Sequence, residues 1–436
     1  MWGYGSGERA VPGGGRVLMT GSGTALAQHR IARLASQRLV HRAFHWLHLH
    51  QPQLRMWQMA MLAIPAPPFG EEARALWFLE RFRELGLGNV HLDEEGNALG
   101  ELGGGERRPT LSDEAAEGGA HGSFILVSAH LDTVFPAGTD TTPTEDGARI
   151  LGPGSCDNAA GLSGMLGLIA ALKFAGIEPE VPILFAANVG EEGEGDLRGM
   201  HHLFERGEYS GRIRAAVALE GSGTATAVDR GLGSRRFRVT VTGPGGHSWT
   251  DAGAPNPILL LARGLVELAD RVSGAGAEAR TTLSAGQIGG GTSINSIPET
   301  ASVLLDLRST DPFELQRHEL EIHRTFELIV GRSGGGAKLA IEVIGSRPAA
   351  ALAADAGILQ TLKAVDRHLG LRTEMRLGST DANVPLAMGI PALAMAAGGT
   401  GGGIHTLAEW YDPTGRETAL RRLLLVILDL VGVGGG

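Results

Sequence analysis

Hydrophobic and polar positions along this chain follow periods that change several times, and each period predicts a type of element. Short apolar runs bounded by glycine-rich or polar turns predict buried strands at Phe124–Ala129, Val181–Val189 and Ala215–Leu219. Helical spacing between these runs predicts helices near Ala159–Phe174 and Gly199–Arg206. Strands that alternate with helices in this way are typical of an α/β domain with a largely parallel sheet.

A different order of elements follows between about Gly231 and Ser346. The pattern predicts β-α-β-β-α-β, the order of a ferredoxin-like unit. Its predicted elements are Phe237–Val241, Pro257–Val272, Thr281–Ile288, Ala301–Leu307, Phe313–Val330 and Lys338–Ile344. The α/β pattern then resumes with predicted elements at Gly357–Leu369, Pro391–Met395 and Arg416–Leu430. We therefore expect a catalytic domain formed by residues 26–230 and 347–436, interrupted by a smaller domain at residues 231–346.

The N-terminal part has a different composition from the rest of the chain. Residues 1–25 are glycine-rich and lack a pattern, which predicts a disordered leader. From about Leu26 to Met61 the pattern is helical and basic, and Ile64–Gly70 ends it. This helical part contains five histidines, and we interpret them as a solvated helix face rather than a metal-binding tract. They are His29, His41, His45, His48 and His50.

Composition limits the class of protein and its partners. A chain of 436 residues exceeds the size of one ordinary core, which also favours two domains. The formal net charge of −10 argues against a nucleic acid partner, because phosphate binding requires a basic surface. A single cysteine excludes an internal disulfide and favours a reducing compartment, so we expect a cytoplasmic protein. No apolar run reaches the roughly 18 residues of a membrane helix, so we expect neither a span nor an export signal.

Chemically active side chains follow each predicted strand of the α/β domain. His130 and Asp132 come after the first strand, Glu191 and Glu192 after the second, and Glu220 after the third. In α/β sheets, ligands and catalytic groups gather beyond the carboxyl ends of the strands. We therefore expect these side chains to lie together.

Imidazole nitrogen and carboxylate oxygen together suit a pair of divalent ions. Asp157 lies in the tight loop Gly152–Asn158, where few side chains would prevent it from bridging two ions. The adjacent carboxylates of Glu191 and Glu192 repel each other, and a metal ion would compensate. With Glu192 as a ligand, Glu191 is free to act as general base. It would accept a proton from a water held by both ions, which leaves hydroxide as the nucleophile. Asp132 would hydrogen-bond the imidazole of a histidine ligand and orient it.

Taken in order, six motifs resemble those of the co-catalytic di-zinc peptidase family that includes peptidase T, carnosinase, carboxypeptidase G, acetylornithine deacetylase and aminoacylase. The resemblance runs from about Ile64 to the C-terminus. The motifs are Ser128–Thr133, Gly154–Asn158, Gly190–Gly193, Gly243–Ser248, Asn295–Pro298 with Asp306–Arg308, and Gly403–Thr406.

This resemblance implies roles for individual residues. It implies a metal site with His130 and Glu220, a second with Glu192 and His405, Asp157 as the bridge, and Glu191 as general base. It also implies that His247 stabilises the tetrahedral oxyanion from a lid domain, often across a homodimer. Asn295 and Arg308 would contact the substrate, often at its carboxylate. The ions would be zinc, although cobalt or manganese fits the same ligands.

The substrate class stays open at this point. We expect a metal-dependent exopeptidase acting on short peptides, with an N-acyl-amino-acid deacylase as the alternative and a non-catalytic metal-binding protein as a third possibility. Glu220 resembles the carboxypeptidase and deacylase members, whereas Asp196–Gly199 and Glu409–Asp412 resemble peptidase T. The basic segment before Ile64 and the loop Gly103–Gly122 have no counterpart in the family, and we expect both to be peripheral.

Overall fold

The structure is a computed structural model that describes residues 20–103, 124–272 and 281–434. Within these residues, the helices follow one another along the chain as α1 (Thr20–Ala35), α2 (Arg38–Leu49), α3 (Gln51–Leu62), α4 (Glu72–Glu84), α5 (Ala159–Ala175), α6 (Arg198–His201), α7 (Pro257–Val272), α8 (Pro312–Ser333), α9 (Gly357–His368), α10 (Asn383–Ala387) and α11 (Arg416–Val431). A π-helical turn, His202–Arg206, extends α6 to the end of the predicted helix.

The strands of the same residues are mostly short. They are β1 (Gly88–Leu92), β2 (Ala98–Leu102), β3 (Phe124–His130), β4 (Thr144–Asp146), β5 (Arg149–Leu151), β6 (Ile183–Asn188), β7 (Ile213–Glu220), β8 (Thr226–Gly231), β9 (Gly233–Thr242), β10 (Gly246–His247), β11 (Thr281–Gly290), β12 (Ser296–Ile297), β13 (Thr300–Ser309), β14 (Lys338–Arg347), β15 (Ala350–Ala351), β16 (Glu374–Gly378), β17 (Ala392–Ala396), β18 (Thr400–Gly402) and β19 (Trp410–Asp412).

A mixed sheet of nine strands forms the centre of the larger domain. Its order is β1-β2-β6-β3-β7-β17-β8-β15, with β16 beside β8. The four central strands β6, β3, β7 and β17 run parallel, whereas β2 and β8 pair antiparallel with this group on either side. The predicted α/β class with a mixed sheet is therefore confirmed, and the parallel strands form the centre of that sheet.

Helix α5 is apolar on nearly all of its faces because other elements cover it on all sides. It packs against β3 and β7 on the sheet side and against α2, α3 and α11 elsewhere. The Asn158 side chain accepts a hydrogen bond from the Gly161 N–H at the start of α5, and Gly176 ends this helix at a φ of 70°.

The N-terminal segment before Ile64 contributes Val40, Leu47 and other buried side chains to the main core, and the expectation that it is peripheral was wrong.

The N-terminal residues also differ in secondary structure from what their pattern predicts. Helix α1 begins at Thr20, inside the predicted leader, and residues 1–19 lie outside the described residues. The predicted single helix is three helices, because the backbone is extended at Gln37 and turns again at His50. His29, His41, His45 and His48 are exposed, as expected of a solvated face, whereas half-buried His50 stacks on Trp46.

A separate four-stranded sheet is built from residues 233–347, and we call this part the four-stranded domain. Its strands lie in the order β11-β13-β9-β14, every pair is antiparallel, and α7 and α8 pack on the sheet. In chain order these elements are β9, α7, β11, β13, α8 and β14, which is the ferredoxin-like arrangement. Its chain enters and leaves beside β8 and β15 of the large sheet.

Two smaller features complete the architecture. The short strands β18, β19, β5 and β4 form a further sheet of four strands that brings residues near 150 against residues near 410. Across the described residues, we find no helix with the length and apolar character that a membrane span requires. The loop Gly103–Gly122, expected to be peripheral, falls almost wholly outside the described residues.

Candidate metal centre

The predicted ligands meet at the carboxyl edge of the parallel strands. His130 is the last residue of β3 and Glu220 the last residue of β7. Glu191 and Glu192 follow β6, whose final residue, Asn188, lies opposite His130 in the parallel ladder. The strand register therefore places the three sequence clusters at one level of the sheet, as expected for an α/β site.

Asp157 lies between two imidazoles. Its Oδ1 is 3.1 Å from Nε2 of His130, and its Oδ2 is 3.3 Å from Nε2 of His405. The two oxygens of one carboxylate thus face two different histidines. This is the arrangement that a carboxylate bridging two cations requires.

Each imidazole also faces a second carboxylate. Nε2 of His405 is 3.0 Å from Oε1 of Glu192, and Nε2 of His130 is 3.9 Å from Oε2 of Glu220. Two sets of donor atoms, each converging within 4.8 Å, share Asp157: one with His130 and Glu220, the other with Glu192 and His405. A third set of the same kind joins His130 to Glu191 and Glu192.

The donor set fits two divalent cations by its electrostatics as well as its geometry. Burial raises the pKa of Glu220 well above its ordinary value, and Asp157 raises it further. Burial likewise raises the pKa of Glu192, with Asp157 again adding to the effect. Oε1 of Glu220 is buried and has no hydrogen-bond partner among the described residues. Buried carboxylates with raised pKa values need a positive charge nearby to stay ionised, and divalent ions would supply that charge.

The pKa values of the two histidines are also raised, but by hydrogen bonds with carboxylates and not by burial. Burial lowers the pKa of His130, but its hydrogen bonds with Asp132 and Asp157 raise that pKa by more, and the result is well above the ordinary value. For His405 the hydrogen bond with Asp157 is the largest effect and raises its pKa to about 9. The carboxylates therefore attract positive charge at the positions that face the imidazole nitrogens.

Asp132 contacts the His130 imidazole with both its backbone and its carboxylate. The closest partner of His130 Nδ1 is the main-chain oxygen of Asp132 at 3.1 Å, whereas the carboxylate Oδ1 is 3.5 Å away. The carboxylate also accepts the backbone N–H groups of Glu191, at 2.9 Å, and Glu192, at 2.7 Å. The Asp132 side chain thus contacts the imidazole and also fixes the loop after β6.

Glu409 was not singled out by the sequence as a site residue. Its carboxylate accepts three backbone N–H bonds of 2.8 Å from the loop that carries Asp157. The donors are Gly154, Cys156 and Asp157 itself. Cys156 is buried, and burial raises the pKa of its thiol to about 12, so it is a packing residue of this loop and not a nucleophile.

Asp381 is a further buried carboxyl that the sequence analysis missed. Its Oδ1 accepts a 2.9 Å hydrogen bond from the Asn188 side chain, and its Oδ2 has no partner among the described residues. Burial raises the pKa of Asp381 to about 6. It lies close enough to His130 for the two charges to interact, although they share no hydrogen bond.

Three predicted site residues lie in the four-stranded domain, apart from the metal-ligand candidates. His247 is exposed on β10, which pairs with β12, and the Ser248 N–H donates to the Asn295 carbonyl at 3.0 Å. Arg308 donates to Asp306 on the same strand. Within the described part of the chain, none of the three contacts His130, Asp157, Glu192, Glu220 or His405 through a hydrogen bond or ion pair.

The family of the chain follows from a match that includes this whole centre. Residues 126–431 match the model of peptidase family M20/M25/M40, which is more than half of the chain. The chain belongs to this family. The family predicted from the sequence motifs is therefore confirmed, and with it a hydrolase that acts on peptide or amide bonds and depends on metal.

Similar proteins come from several hydrolase types. The chain is 29% identical over 311 residues to a Mycobacterium tuberculosis protein assigned as a succinyl-diaminopimelate desuccinylase, DapE, covering 69% of this chain and 81% of that protein. Among solved structures, a Staphylococcus aureus tripeptidase matches with a TM-score of 0.68 and 23% identity over 87% of this chain and 98% of that one. Aminopeptidase PepT from Bacillus cereus matches with a TM-score of 0.66 and 21% identity, over 86% and 98%. At these identities the two structures establish the fold.

Proposed function

We propose that this protein is a two-metal exopeptidase that hydrolyses short peptides, with zinc as the metal. The observation that carries the proposal is the position of Asp157 between His130 and His405. His130 and Glu220 would hold one ion, Glu192 and His405 the other, and Asp157 both. When bound, such ions polarise a scissile carbonyl and acidify a water for attack. Imidazole and carboxylate donors suit zinc.

Glu191 is the proposed general base. Its carboxyl is buried beside the ligand cluster, and the N–H of its own backbone is fixed by Asp132. Because Glu192 fills the ligand role in this dipeptide, Glu191 is free to accept a proton from the attacking water and to donate it to the leaving amine. Burial raises the pKa of Glu191 well above its ordinary value, which makes its carboxylate a stronger proton acceptor.

The four-stranded domain would complete the site as a lid and as the dimer surface. His247 would stabilise the oxyanion, and Asn295 and Arg308 would bind the substrate carboxylate. In the described part of the chain, these residues share no hydrogen bond or ion pair with the ligand candidates, and we therefore propose that a second copy contributes His247 in a homodimer. The single, unpaired Cys156 supports a cytoplasmic location.

A deacylase of N-acyl amino acids is the second candidate. Glu220 supports it, because this position resembles the carboxypeptidase and deacylase members of the family. The desuccinylase named above, which shares 29% identity with this chain, supports it too. The same base and the same metal ligands would serve either substrate.

Hydrolysis of one tripeptide with a free amino end, beside its N-acetylated twin, separates the two candidates. Each reaction is run with added zinc and with a chelator, and products are identified by mass. The exopeptidase proposal predicts metal-dependent cleavage of the free tripeptide. Release of acetate from the twin, with the free tripeptide left intact, would overturn it in favour of the deacylase.

A further inference from the structure

The loop after β6, Gly190–Asp196, is held by the four-stranded domain. It carries Glu191 and Glu192, and it folds so tightly that a Cβ on Gly195 would lie 2.5 Å from Cα of Gly190. Nη1 of Arg236, on β9, donates to the Gly193 carbonyl at 2.7 Å. The N–H of Ser346, on β14, donates to the Asp196 carboxylate at 2.6 Å. Two neighbouring strands of the four-stranded domain thus form hydrogen bonds with a loop of the larger domain.

Arg347, the last residue of β14, makes the most direct of these contacts. Its Nη1 is 3.1 Å from Oε1 of Glu191 and 3.1 Å from Oγ of Ser379, and its Nη2 donates to the Glu191 carbonyl oxygen. The side chain of Glu191 and its backbone are therefore both held by one guanidinium. Arg347 and Glu191 are each only 5% exposed.

The guanidinium of Arg347 lies closer to Glu191 than to Asp196, the other carboxylate within its reach. Nε of Arg347 and Oδ1 of Asp196 are 3.8 Å apart, and both atoms are buried without a hydrogen-bond partner among the described residues. A buried arginine is most stable when it forms a paired, two-bond contact with a carboxylate, and unsatisfied buried polar atoms cost free energy. Arg347 leaves Oδ1 of Asp196 without a hydrogen bond while it contacts Glu191, although the other Asp196 oxygen accepts the Ser346 N–H.

We propose that Arg347 is a positioning residue for the general base, an inference that rests on the role proposed for Glu191. Arg347 occupies Oε1 and so leaves Oε2 as the oxygen that accepts the proton. Among the described residues, no hydrogen-bond donor contacts that second oxygen. Because Arg347 ends β14, the orientation of Glu191 also depends on the placement of the four-stranded domain.

The physical effect of this contact is orientation. A glutamate side chain has several rotatable bonds, and proton transfer requires the acceptor oxygen within hydrogen-bond reach of the water. A misplacement of about 1 Å at a reacting group can lower the rate about 100-fold. Among the residues that the structure describes, Arg347 shares no hydrogen bond or ion pair with His130, Asp157, Glu192, Glu220 or His405, so its loss should leave metal binding intact.

Steady-state hydrolysis of the tripeptide by Arg347→Met and Arg347→Lys tests the inference, with metal content and thermal unfolding measured on the same samples. For Arg347→Met we expect kcat to fall about 100-fold, with KM within about threefold of wild type and metal per chain unchanged. The kcat of Arg347→Lys should be about tenfold higher than that of Arg347→Met, because the ammonium restores one charged donor to Oε1. If Arg347→Met does not fold, Arg347→Lys alone must show a kcat about tenfold below wild type at unchanged KM and metal content.

Arg235→Met is the matched control, since Arg235 belongs to the same sheet but faces Glu319 on α8. Its kcat should equal that of the wild type. A kcat for Arg347→Met within about threefold of wild type would overturn the inference, as would a rise in KM alone or a loss of metal. Glu191→Gln separates the two proposals: if that variant turns over normally, the proposed base is wrong, whereas an inactive Glu191→Gln beside an active Arg347→Met refutes only the positioning role.

Discussion

The Glu409 carboxylate accepts a 2.8 Å hydrogen bond from the backbone N–H of Asp157, although 252 residues separate the two in the chain. The same carboxylate accepts the N–H groups of Gly154 and Cys156. One side chain therefore shapes the whole loop that presents the central carboxylate to both histidines. Residues of this kind, which hold a ligand without contacting the ion, contribute to metal affinity through orientation.

Glu409→Gln should weaken this loop. The amide nitrogen of glutamine cannot accept an N–H bond, so at least one buried backbone donor loses its partner, at a cost of about 1–3 kcal/mol in unfolding free energy. Metal affinity should fall about 10- to 100-fold. Competition with a chromophoric chelator and thermal unfolding measure the two effects. Glu145→Gln, on the surface beside Arg55, is the control and should change neither.

Removal of individual ligands should reveal the shared role of Asp157. Asp157→Ala is expected to lose both ions, since it takes a donor from each cluster, whereas Glu220→Ala and His405→Ala should each retain one. Elemental analysis after dialysis against limiting zinc gives the number of ions per chain. Two ions retained by Asp157→Ala would contradict the bridging position.

Glu191→Gln should separate catalysis from metal binding. Glutamine keeps the shape of the side chain but cannot accept the proton, so kcat should fall about 10²- to 10⁴-fold while the metal content stays at the wild-type value. Kinetics and elemental analysis on one preparation check both. A loss of metal in this variant would mean that Glu191, which lies within one of the three donor sets, is a ligand instead of the base.

Asp381 provides a prediction about pH. Its folded-state pKa of about 6 lies above the ordinary value of 3.8, so the protonated carboxyl stabilises the fold at low pH, and this stabilisation is lost as the pH rises through about 6. The loss amounts to about 3 kcal/mol in the metal-free protein. Asp381→Asn lacks a titrating group at this position. Urea unfolding should therefore show this variant gaining stability relative to wild type between about pH 4 and pH 7.5, and a constant difference would refute the assignment.

Much of the fold was accessible from the sequence because its long elements have clear periods. The predicted helix Pro257–Val272 has the observed bounds, and strand β3 ends one residue after its predicted end, at His130. Strands β4, β5, β18 and β19 were missed, because three residues cannot display an alternation. The breaks at Gln37 and His50 were also missed, since the apolar stripe continues through both positions.

Some residues of the candidate site could also be predicted from the sequence, whereas others could not. Residues that follow strands, such as His130 and Glu220, could be found because the end of an apolar run marks the edge of the sheet. Glu409, Arg347 and Asp381 could not, because their partners lie far away in sequence and only the folded backbone brings them together. A buried carboxylate or guanidinium that binds backbone groups has no local pattern to mark it.

Stepwise addition of zinc to chelator-treated protein, with tripeptide hydrolysis measured at each step, tests whether the five ligands form a two-metal catalytic centre. We expect no turnover without metal and an activity that rises until two ions are bound per chain, and we expect Glu191→Gln to bind the same two ions in an inactive form. Hydrolysis that persists at full strength in the metal-free protein would contradict the assignment of this centre.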